Sequence, residues 1–178
     1  MRVVAGRFGG RTLVAPRGPA TRPTSDRVRE ALFSILGDSV AGARVLDLFA
    51  GSGALGIEAL SRGASEVDLV DSSAAAVGAI RRNLDALSVV AVVRRQDAFA
   101  FLERARRDAR QYDLVFLDPP YRRASALGRE LSAALAPILA PDARVVAESD
   151  RRAPLELDLE LLDERRYGDT LIRIHGPR

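Results

Sequence analysis

The stretch Val45-Leu46-Asp47-Leu48-Phe49-Ala50-Gly51-Ser52-Gly53-Ala54-Leu55-Gly56 constrains the fold of this chain more than any other. An apolar run of strand length meets a glycine turn, and a helical pattern follows. Gly51, Gly53 and Gly56 fit the spacing G-x-G-x-x-G. In that spacing the first two glycines make a tight turn and admit a ligand to the backbone, and the third lets helix pack on strand. Asp71 lies 20 positions after Gly51, at the end of the next apolar run. An acid there is placed to receive a ribose hydroxyl pair. Such a unit predicts an α/β fold with its ligand outside the carboxyl ends of the strands.

The rest of the chain keeps the alternation. Strands are expected at 43–49, 67–70, 89–93, 112–117 and 144–147, with helices at 54–61, 74–87, 98–110 and near 127–139. Alternation of this kind predicts a parallel sheet covered by helices on both faces. Residues 155–166 and 170–174, joined around Tyr167-Gly168-Asp169, read as a closing strand pair and an antiparallel edge. Upstream, Arg2-Val3-Val4-Ala5 and Arg11-Thr12-Leu13-Val14 flank a glycine turn and predict a β-hairpin. Pro16, Gly18, Pro19 and Pro23 mark a linker. Thr24 or Ser25 is the expected cap of a helix running to Leu36, with Val28, Leu32, Ile35 and Leu36 on one face. The expected organisation is a hairpin and linker over 1–23 and a main domain over 24–178.

At 178 residues the chain suits one core. It has no cysteine, which excludes disulfides, zinc–thiolate sites and thiol chemistry. Its one histidine, His175, argues against a histidine triad, and no metal site is expected. No apolar run approaches the roughly 20 residues of a membrane span. The N-terminus lacks a signal-peptide h-region, so a cytoplasmic monomer without membrane contact is expected. All 27 basic residues are arginine, and residues 1–36 hold seven of them against two acids. The remainder carries 20 arginines against 22 acids, so the positive charge belongs to the N-terminal fifth. That asymmetry points to nucleic acid, whose phosphates suit the arginine fork. A solvated arginine-rich surface is the plainer alternative.

Two cofactors suit the glycine loop. A dinucleotide sets its pyrophosphate on the helix N-terminus. S-adenosylmethionine has no phosphate but carries a methionine ammonium, which Asp47 can accept. An acid beside the loop repels pyrophosphate, so Asp47 favours S-adenosylmethionine. Asp97 ends the third strand, where it suits an adenine amino group or a plain cap for the helix from Ala98. Asp118 ends the fourth strand and opens Asp118-Pro119-Pro120-Tyr121. The prolines lack N–H donors, so this tip offers carbonyl and carboxylate acceptors beside an aromatic ring. Such a tip fits the exocyclic amine of a nucleobase. Asp118 and the Pro119 carbonyl orient the nitrogen, and Tyr121 stacks on a base drawn out of its helix. Arg122 and Arg123 follow, placed for flanking phosphates or solvent.

These residues resemble a family. Arg22-Pro23-Thr24-Ser25-Asp26-Arg27-Val28-Arg29-Glu30, the 47–56 stretch and the Asp118 motif are similar to those of the bacterial 16S ribosomal RNA guanine-N2 methyltransferases. The resemblance implies a Rossmann-like, class I methyltransferase with a seven-stranded, mostly parallel sheet and an N-terminal hairpin that grips RNA. It implies S-adenosylmethionine at Asp47, Gly51, Gly53, Asp71, Asp97 and Ala98, and base capture at Asp118, Pro119, Pro120 and Tyr121. Arg7, Arg11, Arg22, Arg27, Arg122 and Arg123 are the expected RNA contacts. The implied substrate is 16S rRNA in an assembled or assembling small ribosomal subunit. Ala5 departs from the family, where glycine is more usual. Guanine over adenine rests on the resemblance alone, because adenine-N6 methyltransferases share the Asp118 motif. A nicotinamide-dependent oxidoreductase lacks an obvious proton donor here, and a non-catalytic RNA-binding module would not need the cofactor loop.

Overall fold

The computed structural model describes residues 1–16, 25–119 and 124–177. Arg22, Thr24, Pro120, Tyr121, Arg122 and Arg123 lie outside the described residues. Chain order gives α1 (Asp26–Leu36), β1 (Arg44–Leu48), α2 (Ala54–Ser61), β2 (Glu66–Asp71), α3 (Ala74–Leu87), β3 (Val92–Arg95), α4 (Ala98–Arg107), β4 (Tyr112–Leu117), α5 (Ala124–Leu135), β5 (Leu139–Asp150), β6 (Glu160–Tyr167) and β7 (Thr170–Gly176). The seven strands form one sheet in the order β3-β2-β1-β4-β5-β7-β6. The neighbours from β3 to β5 pair in parallel, and β7 pairs antiparallel with both β5 and β6. The reversed strand therefore sits one place inside the edge, because the chain runs out to β6 before turning back at Gly168. Strand order reverses between β1 and β4, which opens the ligand crevice at their carboxyl ends.

Side-chain alternation along the strands builds a core on each face. Leu46, Leu48, Val115 and Leu117 pack with Leu102 of α4 and with Leu131 and Leu135 of α5. Val45, Leu114 and Phe116 pack with Phe33 of α1, Ile57 of α2 and Ile80 of α3. Asp47 alternates with Leu46 and Leu48, so it belongs to the second face.

The N-terminal segment shares this second core, as a hairpin closed by a single bridge rather than by the two expected strands, because a 3-10 turn occupies its middle. Arg2 bridges Thr12, Val3 N–H donates to Arg11, and a short 3-10 turn spans Gly6–Phe8. Val3, Phe8 and Leu13 are buried. Glu58 of α2, fully buried, accepts from Val4 N–H at 2.7 Å and Ala5 N–H at 3.0 Å and pairs with Arg62 at 2.8 Å. A Cβ on Gly6 (φ +78°) would stand 2.0 Å from the Ser61 carbonyl oxygen, so only glycine allows the hairpin to lie so close to α2. Asn83 of α3 accepts from Val14 N–H at 2.8 Å and donates to Ser52 C=O at 2.9 Å, joining the hairpin to the glycine loop.

Some elements differ from the sequence pattern. Ser25 caps α1, but Ile35 is exposed, and Arg29 and Phe33 join the buried face instead. β3 begins at Val92 rather than 89, because Val89 N–H still bonds back to Leu84 and Val90 is 93% exposed. α4 stops at Arg107, ahead of Ala109 at φ +50°. α5 ends at Leu135, and Pro137 lies in a 3-10 turn after it. β5 is much longer than 144–147: it begins at Leu139, the register partner of Tyr112 on β4, and pairing with β7 extends it to Asp150.

Replacing Glu58 strands two backbone donors and Arg62. Glu58→Ala is expected to cost about 3–5 kcal/mol in urea denaturation, as breaking a buried ion pair does. A loss under about 1 kcal/mol would mean that water replaces the carboxylate without penalty.

Candidate active site

The crevice begins where β1 ends. Phe49 adopts φ +72° and Gly51 φ +56°, and Gly53, at φ +78°, is the N-cap of α2. A left-handed phenylalanine is strained, which nothing in its side chain announces in the sequence. Phe49 and Ala50 N–H groups both donate to Val70 C=O at 3.0 Å, so pairing with β2 holds the turn. A Cβ on Gly56 would meet Leu69 Cδ2 at 2.6 Å and Val67 Cγ1 at 3.0 Å. The third glycine is thus what lets α2 lie on β2.

Asp47 is buried, and its Oδ2 accepts from Gly56 N–H at 2.9 Å. Burial pushes its carboxyl up to about 7; the Gly56 bond opposes the rise and the Asp71 charge adds to it. Asp71 Oδ2 accepts from Gly51 N–H at 2.9 Å, and its Oδ1 from Ser73 N–H at 2.8 Å. Gly53 N–H is turned to Ala50 C=O. The N–H groups of all three loop glycines therefore have partners, two of them carboxylates. Residues 47–61 contain no arginine. A pyrophosphate would find acids and occupied donors here. The same residues fit S-adenosylmethionine, which brings cationic groups and hydroxyls and asks for acceptors.

Asp97 Oδ1 accepts from Phe99 N–H at 3.0 Å and Ala100 N–H at 3.2 Å, capping α4, whose first residue is the buried Ala98. Asp118 directly follows β4, and Pro119 is buried behind it. The Asp118 carboxyl is held well above the usual carboxylate range, first by burial and then by the charges of Glu148 and Asp47. β3, β2, β1 and β4 are neighbours in the sheet, so Asp97, Asp71, Asp47 and Asp118 line one edge.

Sequence reasoning missed two buried charges beside this edge. Glu148 ends an apolar run of β5, a position that reads as strand from its neighbours. Arg29 sits within the apolar face of α1 and is fully buried. It donates through Nη2 to Asp26 at 2.7 Å and to Arg2 C=O, while its Nε and Nη1 have no hydrogen-bond partner among the described residues. Of the expected RNA contacts, Arg7, Arg11 and Arg27 are exposed. Arg7 lies 5.2 Å from the centre of the Phe8 ring, and Arg11 donates to Ala86 C=O at 2.6 Å.

Comparison with known proteins agrees with this fold. The chain is 40% identical to a putative rRNA methyltransferase, YlbH, of Bacillus subtilis over the full length of both. It is 34% identical to ribosomal RNA small subunit methyltransferase D of Haemophilus influenzae, over 98% of this chain and 93% of that one. The solved structure of a putative methyltransferase, yhhF, from Escherichia coli superposes with a TM-score of 0.83 at 35% identity, covering 100% of this chain and 98% of the other. Fold and site define a methyltransferase of the S-adenosylmethionine-dependent class. Within it, the chain belongs to the family described as conserved hypothetical protein 95, whose model matches residues 1–176.

The raised Asp47 carboxyl has a consequence for stability. Between the ordinary carboxylate range and about 7 the folded chain keeps a proton that the unfolded chain has released, so stability falls as pH rises through that window. Asn at position 47 still offers Gly56 an acceptor without a charge. Asp47→Asn is expected to stabilise the protein by about 4 kcal/mol above about pH 8 and hardly at all below about pH 4, read by urea denaturation. Equal stability of the two proteins above pH 8 would show that Asp47 folds without a charge penalty.

Proposed function

We propose that this protein methylates the exocyclic N2 amine of a guanosine in 16S rRNA, acting as a cytoplasmic monomer on an assembled or assembling small ribosomal subunit. The observation that carries the reading is the nearness of donor acid to acceptor tip: Asp47 lies one residue before the end of β1, Asp118 directly follows the paired strand β4, and the Asp47 charge acts on Asp118. Full-length similarity to rRNA methyltransferases supports RNA as the substrate, and the family resemblance supports guanine.

S-adenosylmethionine supplies a methyl group on a sulfonium. Asp47, Gly51, Gly53, Asp71, Asp97 and Ala98 hold it, with acids toward its cationic and hydroxyl groups. Asp118 and the Pro119 carbonyl accept the N–H groups of the target amine and turn its lone pair toward the methyl carbon. Positioning does most of the work, because the conjugated amine is a poor nucleophile. Pro120 keeps competing N–H donors out of the tip, and Tyr121 stacks on the extruded base. Arg7, Arg11, Arg22, Arg27, Arg122 and Arg123 hold RNA phosphates, which makes binding salt-dependent.

Asp118→Ala should lower methyl transfer to subunits lacking the modification by more than about 100-fold, with S-adenosylhomocysteine affinity within about twofold of wild type. Mapping the methylated nucleotide tests the base and the amine together. Turnover retained in the variant would remove the tip from the chemistry. Transfer to naked duplex DNA but not to subunits would favour an adenine-N6 enzyme.

Because Val3, Phe8 and Leu13 are core residues, deleting the hairpin would unfold the protein rather than test RNA binding. Arg7→Glu is the cleaner probe. It should reduce the slope of log affinity against log salt by about one unit and leave cofactor affinity unchanged. An unchanged slope would place Arg7 off the RNA path.

A further inference from the structure

We propose that Glu148 is a positioning residue for Asp118, and that the two carboxyls together hold the proton shed by the amino nitrogen as it is methylated. The inference rests on the methyl-transfer reading above and goes beyond it by naming where the proton goes. β4 and β5 pair in parallel with Leu117 opposite Ala147, so the next residues are neighbours: Asp118, just past the end of β4, and Glu148, still within β5. Alternation sets both on the face that carries Phe116 and Val146. Glu148 is buried. A buried carboxyl against another is costly unless the pair has something to do or a cation beside it.

The surrounding charges fit that task. From β1, Asp47 acts on Asp118. From α1, the buried Arg29 guanidinium acts on Glu148, and Asp26 and Glu58 act in turn on Arg29. On β7, the register partner of Glu148 is the apolar Ile172. Among the described residues, Glu148 is thus the link between the tip and a fixed positive charge. Two carboxyls this close titrate as a unit, and the pair's affinity for a proton follows the charge around it.

Methyl transfer changes that charge. The nitrogen lone pair forms the N–C bond as the C–S bond breaks, and the bonding pair stays on sulfur. Positive charge passes from sulfur to nitrogen. An N–H electron pair then returns to nitrogen while the proton moves to Asp118 and is shared with Glu148. Before transfer the sulfonium favours both carboxylates ionised. After transfer that cation is gone, so the pair takes up a proton when one becomes available. Solvent removes the proton once the products leave.

The test compares two ligands that differ in the sulfonium. Calorimetry in two buffers of different ionisation enthalpy, near pH 7, counts protons released on binding S-adenosylmethionine and S-adenosylhomocysteine. Both ligands share the amino-acid end, so any proton leaving Asp47 is largely common to both. Wild type is expected to release about half to one proton more with S-adenosylmethionine. Glu148→Gln should cut that difference by at least half and move the acid limb of kcat down by about one pH unit, with KM for S-adenosylmethionine within about twofold. Glu148→Asp, which keeps the charge, should restore most of the difference. Equal release by the two ligands in wild type overturns the proposal, as does a Glu148→Gln protein with unchanged proton count and pH profile. If Glu148→Gln does not fold, the wild-type comparison alone decides. If Asp118→Asn abolishes transfer while Glu148→Gln changes nothing, only this proposal falls. If neither ligand binds, the methyltransferase reading falls with it.

Discussion

The structure depends on one buried hydrogen bond, from Gly56 N–H to the Asp47 carboxyl. It fixes the N-terminal turn of α2 against β1 from inside the core. It needs glycine at 56, because a side chain there would occupy the space of Leu69 and Asp47 together. It also takes a carboxyl out of water, with Asp71 close enough to add its own repulsion. An uncharged residue at 47 would fold more easily. The chain keeps an acid there, and the neighbouring acids of the edge compound the cost. Strain accumulated in this way belongs where a cationic ligand relieves it.

The site was legible wherever a residue's type departed from its surroundings. Asp47, Asp71 and Asp118 interrupt or end apolar runs, and the glycines punctuate the loop, so sequence alone put them at strand ends. The parallel sheet was legible from alternation, because strand and helix periods change together along the chain. The lengths of β3 and β5 were not, since they depend on partners far away in sequence: β5 reaches Asp150 by pairing with β7. Arg29 and Glu148 escaped for a related reason. A charged residue at a core position of a helix or strand reads as a solvated exception until the packing shows another buried charge opposite it.

The hairpin shows how composition and packing carry separate information. Its arginines read as a surface for phosphate, and Arg7 and Arg11 are exposed. Its apolar residues, at Val3, Phe8 and Leu13, read equally well as β-prone arms of an appendage, yet they are core. The reason lies in Glu58. Within α2 it looks like an outward-facing helix residue, but its two carboxylate oxygens accept from the Val4 and Ala5 backbone of the hairpin. Hairpin and α2 are therefore one packing unit, and Asn83 carries the connection on to Ser52 in the glycine loop.

This continuity bears on how the two substrates of such a protein would sense each other. The hairpin touches the glycine loop through Asn83, and its Arg2 carbonyl accepts from Arg29, which acts on Glu148 beside Asp118. Two short routes thus run from one exposed, basic segment to the two halves of the crevice. Both routes run through a buried side chain on a packed helix, Asn83 of α3 and Arg29 of α1. A rigid link of this kind transmits position rather than motion. RNA held by the hairpin arginines, as proposed, would then lie at a set distance from Asp118 just past the end of β4.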